Sequence, residues 1–359
     1  MDEAAVQRRT KKHLPAKLLS AVILSGITLL FALGTLLGRS DADNLFWQTL
    51  LRRHDALILA LGTDELGTVY VTKDRLLGHF SDPDEEAVAA AANAVNRYAA
   101  EQSAQLFVLA VPTSSAIYSE TLPDAAPLAN EHQLLRRFSD GLDDKIIWIE
   151  ASSWLSYEKE QYIYYRTDPC WTAYGAFCVY RSAIRKLGFS AVGYDRFSVR
   201  HFGADYYGRL AQQAHYYDIQ PDVIDLYSNN STVQQPERVT AIRPEGEIRL
   251  PAYYRTDLPE TETQPELIFG IESEPVLHLE MDNPGTRDLL LLTDSFGDSM
   301  IPLLMQHYRS ITAVNLTLAR EIDWRSLTQG EYAQILILCG TDTVAAPDGL
   351  TEMLAESAA

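Results

Sequence analysis

The chain has 359 residues, 47% of them hydrophobic and 22% charged. That is a globular composition, long enough to bury a sizeable core, and it excludes a disordered chain. A formal charge of −19 argues against a nucleic-acid partner, and three cysteines are too few for a disulfide framework.

The charge is unevenly spread. Up to Arg39 there are six basic and two acidic residues, so the remainder carries −23 (24 basic, 47 acidic). A basic head on an acidic body points towards a membrane. Leu18 to Leu37, LLSAVILSGITLLFALGTLL, is uncharged and long enough to cross a hydrocarbon core. Five of the six cations precede it, which places the N-terminus inside and the rest outside. A cleaved signal peptide and a buried core helix are the rival readings. The apolar run exceeds a usual signal h-region and GTLLGRS lacks a clear cleavage site, which favours an uncleaved signal-anchor.

Residues 40–61 show helical spacing of Leu45, Phe46, Leu50 and Leu51 and predict a stalk. "GTVYVTKDRLLGHF" alternates and turns at Lys73-Asp74, as a hairpin does. Glu85 to Glu101 is Ala-rich and helical. Short apolar runs follow at Leu106–Pro112, Lys145–Ala151, Asp288–Ser295, Ser310–Asn315 and Gln334–Gly340, separated by helical stretches. That order predicts an α/β domain over 62–346, with a parallel sheet covered by helices on both faces. Residues 188–275 are polar and turn-rich and are expected to form an insertion or lid. The ends are expected to be a cytoplasmic tail (1–17) and a C-terminal tail (347–359).

Ligands gather beyond the carboxyl ends of such strands. Three ends carry polar residues: Thr113 after the first run, Gly340 after the last, and Thr293-Asp294-Ser295-Phe296-Gly297. A serine on a strand-to-helix turn lies beside free N–H groups that can hold an oxyanion. The simpler reading is that Asp294, Ser295 or Ser299 caps the helix, with Pro302 in its first turn. "DPCW" has an equally plain reading: Asp168 caps a helix that starts at Pro169 and ends at Gly188, burying Trp171, Tyr174, Phe177, Cys178, Ile184 and Leu187. No histidine stands in a motif with an acid. His201, His215 and His278 are open candidates for a base. Asp294 and Asp298 alone are too few ligands for a metal site, and no cofactor is implied.

Together, "YYRTDPCWTAYGAFCVY" and the later "LLLTDSFGDSMIPLLMQHYRSITAVN" resemble the DHHW family of exported bacterial proteins. That family is similar to the SGNH-hydrolase-like proteins of alginate O-acetylation. "LGTVYVTKDRLL", "VPTSSAIYSETLP" and "FGADYYGRLAQQ…PDVIDLYS" match in the same order, so the resemblance spans Leu45 to Thr343. It implies an SGNH-hydrolase-like fold with Ser295 as nucleophile and Asp168 as orienting acid. The family's catalytic His falls on Cys170, and its Asn after the last strand falls on Gly340. Asp294, Trp171, Arg166, Thr113 and Gly340 are expected to support the site.

A thiol beside a carboxylate stays neutral and cannot shuttle a proton as imidazole does. The expectation is therefore a membrane-anchored extracellular protein of cell-surface polysaccharide modification, catalytically impaired and acting in binding or assembly. The alternative is an active O-acetyltransferase or acetylesterase using Ser295. An extracellular anchor protein unrelated to the family is a third reading. The resemblance implies a cell-surface polysaccharide as partner, and a membrane-bound O-acyltransferase in related systems.

Overall fold

The computed structural model describes residues 62–355, except 81–84, 125, 128–129, 204, 230–235, 257–267, 283–286, 329 and 348, together with Ser25, Gly26 and Leu59. Apart from those last three residues, the Leu18–Leu37 segment and the 40–61 stalk lie outside the described residues. Among the described residues no helix is long and apolar enough to cross a membrane.

The leucine and β-branched runs form strands because each residue in them has a buried face available. β1 (Glu65–Leu66), β2 (Val69–Val71) and β3 (Leu76–Gly78) make a small antiparallel sheet, with its β2–β3 turn where the sequence predicts a hairpin. The main sheet has eight strands. These are β4 (Gln105–Val111), β5 (Ile147–Ile149), β8 (Arg238–Arg243), β9 (Gly246–Leu250), β10 (Val276–Glu280), β11 (Asp288–Thr293), β12 (Ser310–Asn315) and β13 (Gln334–Gly340). Their order is β5-β4-β13-β11-β12-β10-β8-β9. β6 (Phe197–His201) and β7 (Asp225–Asn229) pair separately.

The first five strands of that order are parallel. Alternate residues feed opposite cores. Phe107, Leu109, Leu291 and Leu338 face one side, and Leu106, Val108, Leu290 and Ile337 the other. One core is covered by α3 (Ala173–Lys186), the other by α1 (Glu85–Glu101) and α2 (Glu131–Asp140). The sheet is mixed rather than parallel, however. β10, β8 and β9 continue it in antiparallel fashion. Their sequences, VLHLE, RVTAIR and GEIRL, mix apolar with charged residues and escape a search for apolar runs.

The 188–275 segment thus supplies two strands of the main sheet, the β6–β7 pair and α4 (Arg209–Ala214). Residues 350–353, in the stretch expected to be a tail, form a short helix with Leu350 and Met353 buried, and Trp324 Nε1 donates to the Met353 carbonyl.

Candidate active site

Ser295 lies between β11 and α5 (Gly297–Leu304), at the strand-to-helix turn that the sequence predicts. None of Asp294, Ser295 and Ser299 caps this helix. Phe296 holds the cap position, without a side-chain bond. Pro302 sits inside the helix, not in its first turn. Proline cannot donate to the carbonyl four residues back. That carbonyl belongs to Asp298, and the Tyr253 hydroxyl donates to it at 2.8 Å.

Asp294 has a different task. Its Oδ1 accepts from Phe296 N (3.1 Å), and its Oδ2 from Gly340 N (2.8 Å) and Thr343 Oγ1 (2.7 Å). It ties the Ser295 turn to the end of β13 and the start of α6 (Thr341–Ala345). Burial raises its pKa, against these hydrogen bonds. Gly340 is therefore no free oxyanion donor, because its N–H is engaged by Asp294. A Cβ at Gly340 would lie 2.6 Å from the Phe296 ring, so an asparagine there would have to displace that ring.

The "DPCW" segment is not the start of a helix. Residues 167–170 form a bend, and α3 begins at Ala173, capped by Thr172 Oγ1 accepting from Gly175 N. α3 ends at Lys186, and Gly188 follows in the left-handed region (φ 84°). Asp168 instead caps another helix. Its Oδ2 accepts from Arg209 N at 3.0 Å, while Thr167 takes Gly208 N on its hydroxyl (2.8 Å) and Leu210 N and Ala211 N on its carbonyl (3.0 and 3.2 Å). The free amides at the start of α4 are thus met by the Thr167–Asp168 bend. Gly208 permits this approach, since a Cβ there would lie 2.4 Å from Asp168 Cβ.

This docking brings Arg209 into the site, and the sequence reading missed it. Its Nε donates to Asp168 Oδ2 and its Nη2 to Asp168 Oδ1, both at 3.1 Å. The same Nη2 lies 2.9 Å from Cys170 Sγ and 3.2 Å from Ser295 Oγ. Tyr206 OH and Cys170 N also donate to Asp168 (both 3.0 Å). Burial works to raise the Asp168 pKa, but the Arg209 charge and these donors outweigh it and hold the carboxyl below its ordinary value.

Cys170 Sγ lies 3.2 Å from Ser295 Oγ, so the structure unites the three residues that the resemblance pairs: Ser295, Asp168 and Cys170. Burial pushes the thiol well above its ordinary value. Arg209 opposes that and Asp168 reinforces it. Trp171 joins them by donating from Nε1 to the Phe296 carbonyl (3.0 Å), with its ring edge-on to Phe296. The cavity over these groups is about 20 Å³, room for one water, and is also lined by Tyr165, Tyr206, Phe269, Glu272 and Ser299.

Two expected supporters lie elsewhere. Arg166 stacks over the Tyr162 ring at 4.5 Å. Thr113 donates through N and Oγ1 to the buried Glu131 carboxylate, whose pKa burial raises to about 7. None of the described histidines lines the cavity. His201 bonds Asp225, His278 bonds Thr312, and His215 ends α4 in a left-handed conformation. The one legible signal for Arg209 was its Gly-Arg pair within "FGADYYGRL", a block that matched the family without an assigned role.

Comparison with known proteins bears on the fold. Residues 69–245 match the family model of the SGNH hydrolase-like domain of the acetyltransferase AlgX. That match includes Asp168, Cys170 and Arg209 but stops short of Ser295. No functionally curated protein matches the sequence. Among solved structures, Bacillus cereus PatB1 with a sulfonyl adduct superposes with a TM-score of 0.65 at 16% identity, covering 79% of this chain and 97% of that one. A DHHW family protein from Eubacterium siraeum gives a TM-score of 0.62 at 16% identity, covering 79% and 93%. Residues 69–245 are thus similar to the SGNH hydrolase-like domain of AlgX, and the chain shares the fold of a DHHW family protein.

Proposed function

We propose that this chain is a catalytically impaired SGNH hydrolase-like protein that acts in binding or assembly during cell-surface polysaccharide modification. In this reading Leu18–Leu37 anchors it in the cell membrane as a single pass and the C-terminal domain is extracellular. Its partners are a surface polysaccharide and a membrane-bound O-acyltransferase. The similarity to the AlgX domain supports the polysaccharide link.

One observation carries the impaired reading. Among the described residues, Ser295 Oγ accepts from the Cys170 thiol and the Arg209 guanidinium, and both act as donors to it. A serine nucleophile needs an acceptor for its proton. Asp168, the acid that the resemblance pairs with Ser295, is already saturated by Arg209, Tyr206 and Cys170 N. Removing the base from a triad leaves ~10³–10⁴-fold catalysis over water, from binding and oxyanion stabilisation.

The active alternative rests on Arg209 itself. A cation 3.2 Å from Ser295 Oγ stabilises negative charge on that oxygen. An acetyl-ester assay on the purified chain separates the two. The impaired reading expects the parent protein near background and a gain for Cys170→His. Robust parental turnover abolished by Ser295→Ala would overturn it. Robust turnover that survives Ser295→Ala would remove Ser295 from the chemistry.

A further inference from the structure

We propose that Asp222 is the positioning residue of this site, the group that locks the Asp168–Cys170 bend to the Tyr206–Arg209 limb. The inference holds whether or not the chain turns over. Asp222 is fully buried, and both of its oxygens serve the bend. Oδ1 accepts from Tyr162 OH (2.5 Å) and Arg166 N (2.7 Å). Oδ2 accepts from Thr167 N (2.8 Å) and Thr167 Oγ1 (2.5 Å).

The backbone of Asp222 serves the other limb. It exchanges hydrogen bonds with Tyr206 in both directions, at 2.8 and 3.2 Å. Tyr206 in turn reaches Asp168 through its hydroxyl. The Thr167 hydroxyl closes the circuit, donating to Asp222 while accepting from Gly208 N. One residue therefore joins the loop that carries Asp168 and Cys170, through its carboxylate, to the segment that carries Arg209, through its backbone.

Only a carboxylate satisfies this arrangement. Each oxygen faces two donors, so the amide of Asp222→Asn meets donors with its NH₂ in either orientation. Such a conflict opens the bend locally and leaves the sheet in place.

Three buried cysteines make the test internal. Cys170 lies in the bend, Cys178 on α3 and Cys339 on β13. Iodoacetamide alkylation of the native full chain is followed at each cysteine by mass spectrometry. Asp222→Asn is expected to speed modification of Cys170 by about 10-fold or more, with Cys178 and Cys339 unchanged. Thr167→Val, a milder lesion that deletes the linking hydroxyl, is expected to act in the same direction. Thr167→Ser restores the hydroxyl and the parental rate. Equal acceleration at all three cysteines would mean general loosening and overturn the proposal. So would an unchanged Cys170 rate in both Asp222→Asn and Thr167→Val.

Discussion

Arg209 meets Asp168 through three nitrogens: its backbone N at 3.0 Å, and Nε and Nη2 at 3.1 Å each. The backbone contact caps α4, and the side-chain contacts neutralise a buried carboxylate. In a serine triad the acid holds a histidine in place. Here Asp168 holds an arginine.

Arg209→Ala is expected to destabilise the fold by about 2–3 kcal/mol in denaturant titration. Breaking a buried ion pair costs roughly 3–5 kcal/mol. The Arg209 side chain is 47% exposed, which places the loss below that range. Asp168 would keep its backbone donors but lose its countercharge. A loss under about 0.5 kcal/mol would show that the pair contributes nothing beyond the cap.

Introducing at Gly340 the asparagine that the resemblance implies should fail by itself. In Gly340→Asn the new Cβ meets the Phe296 ring at 2.6 Å. Overpacking of this kind costs roughly 1–3 kcal/mol. Phe296→Ala in the same chain removes the obstacle, so the double variant should be more stable than the sum of the two single losses. Thermal unfolding of the four proteins checks this. Strict additivity would place the clash elsewhere.

Glu131 gives the fold a pH dependence of defined sign. Burial raises its folded pKa to about 7, above the 4.5 of a free glutamate. The folded state therefore binds the proton more tightly. Its stabilisation is complete below pH ~4.5 and is lost as pH rises through about 7, on the order of 3 kcal/mol in total. Glu131→Gln should flatten that part of the stability profile between pH 5 and 8. Equal slopes for parent and variant would remove Glu131 as the source.

Legibility followed burial and locality. β4, β11, β12 and β13 were readable because both of their faces are covered, so most of their residues are apolar. β8 to β10 were not, because charged residues interrupt their apolar positions. The Ser295 turn was readable from its place after β11. Asp168 and Cys170 were readable only through the family resemblance, which named their positions but could not reveal their partner. Arg209 lies 41 residues from Asp168 and meets it only through docking of α4. Arg166 was expected to support the site, yet its side chain stacks on Tyr162. The misjudged helix start at Asp168 has the same origin. Asp and Pro are good helix openers, but Asp168 caps a helix from a distant segment.

The hydroxyl of Tyr253 fills a gap that Pro302 leaves in the helix behind the serine turn. These two positions are therefore not free to vary separately. A relative with an ordinary residue at the proline position would supply its own amide to the Asp298 carbonyl and could carry phenylalanine in place of the tyrosine. A relative with the proline should retain a donor there. Covariation of these two sites would tie the Tyr253 position to the turn that carries Ser295.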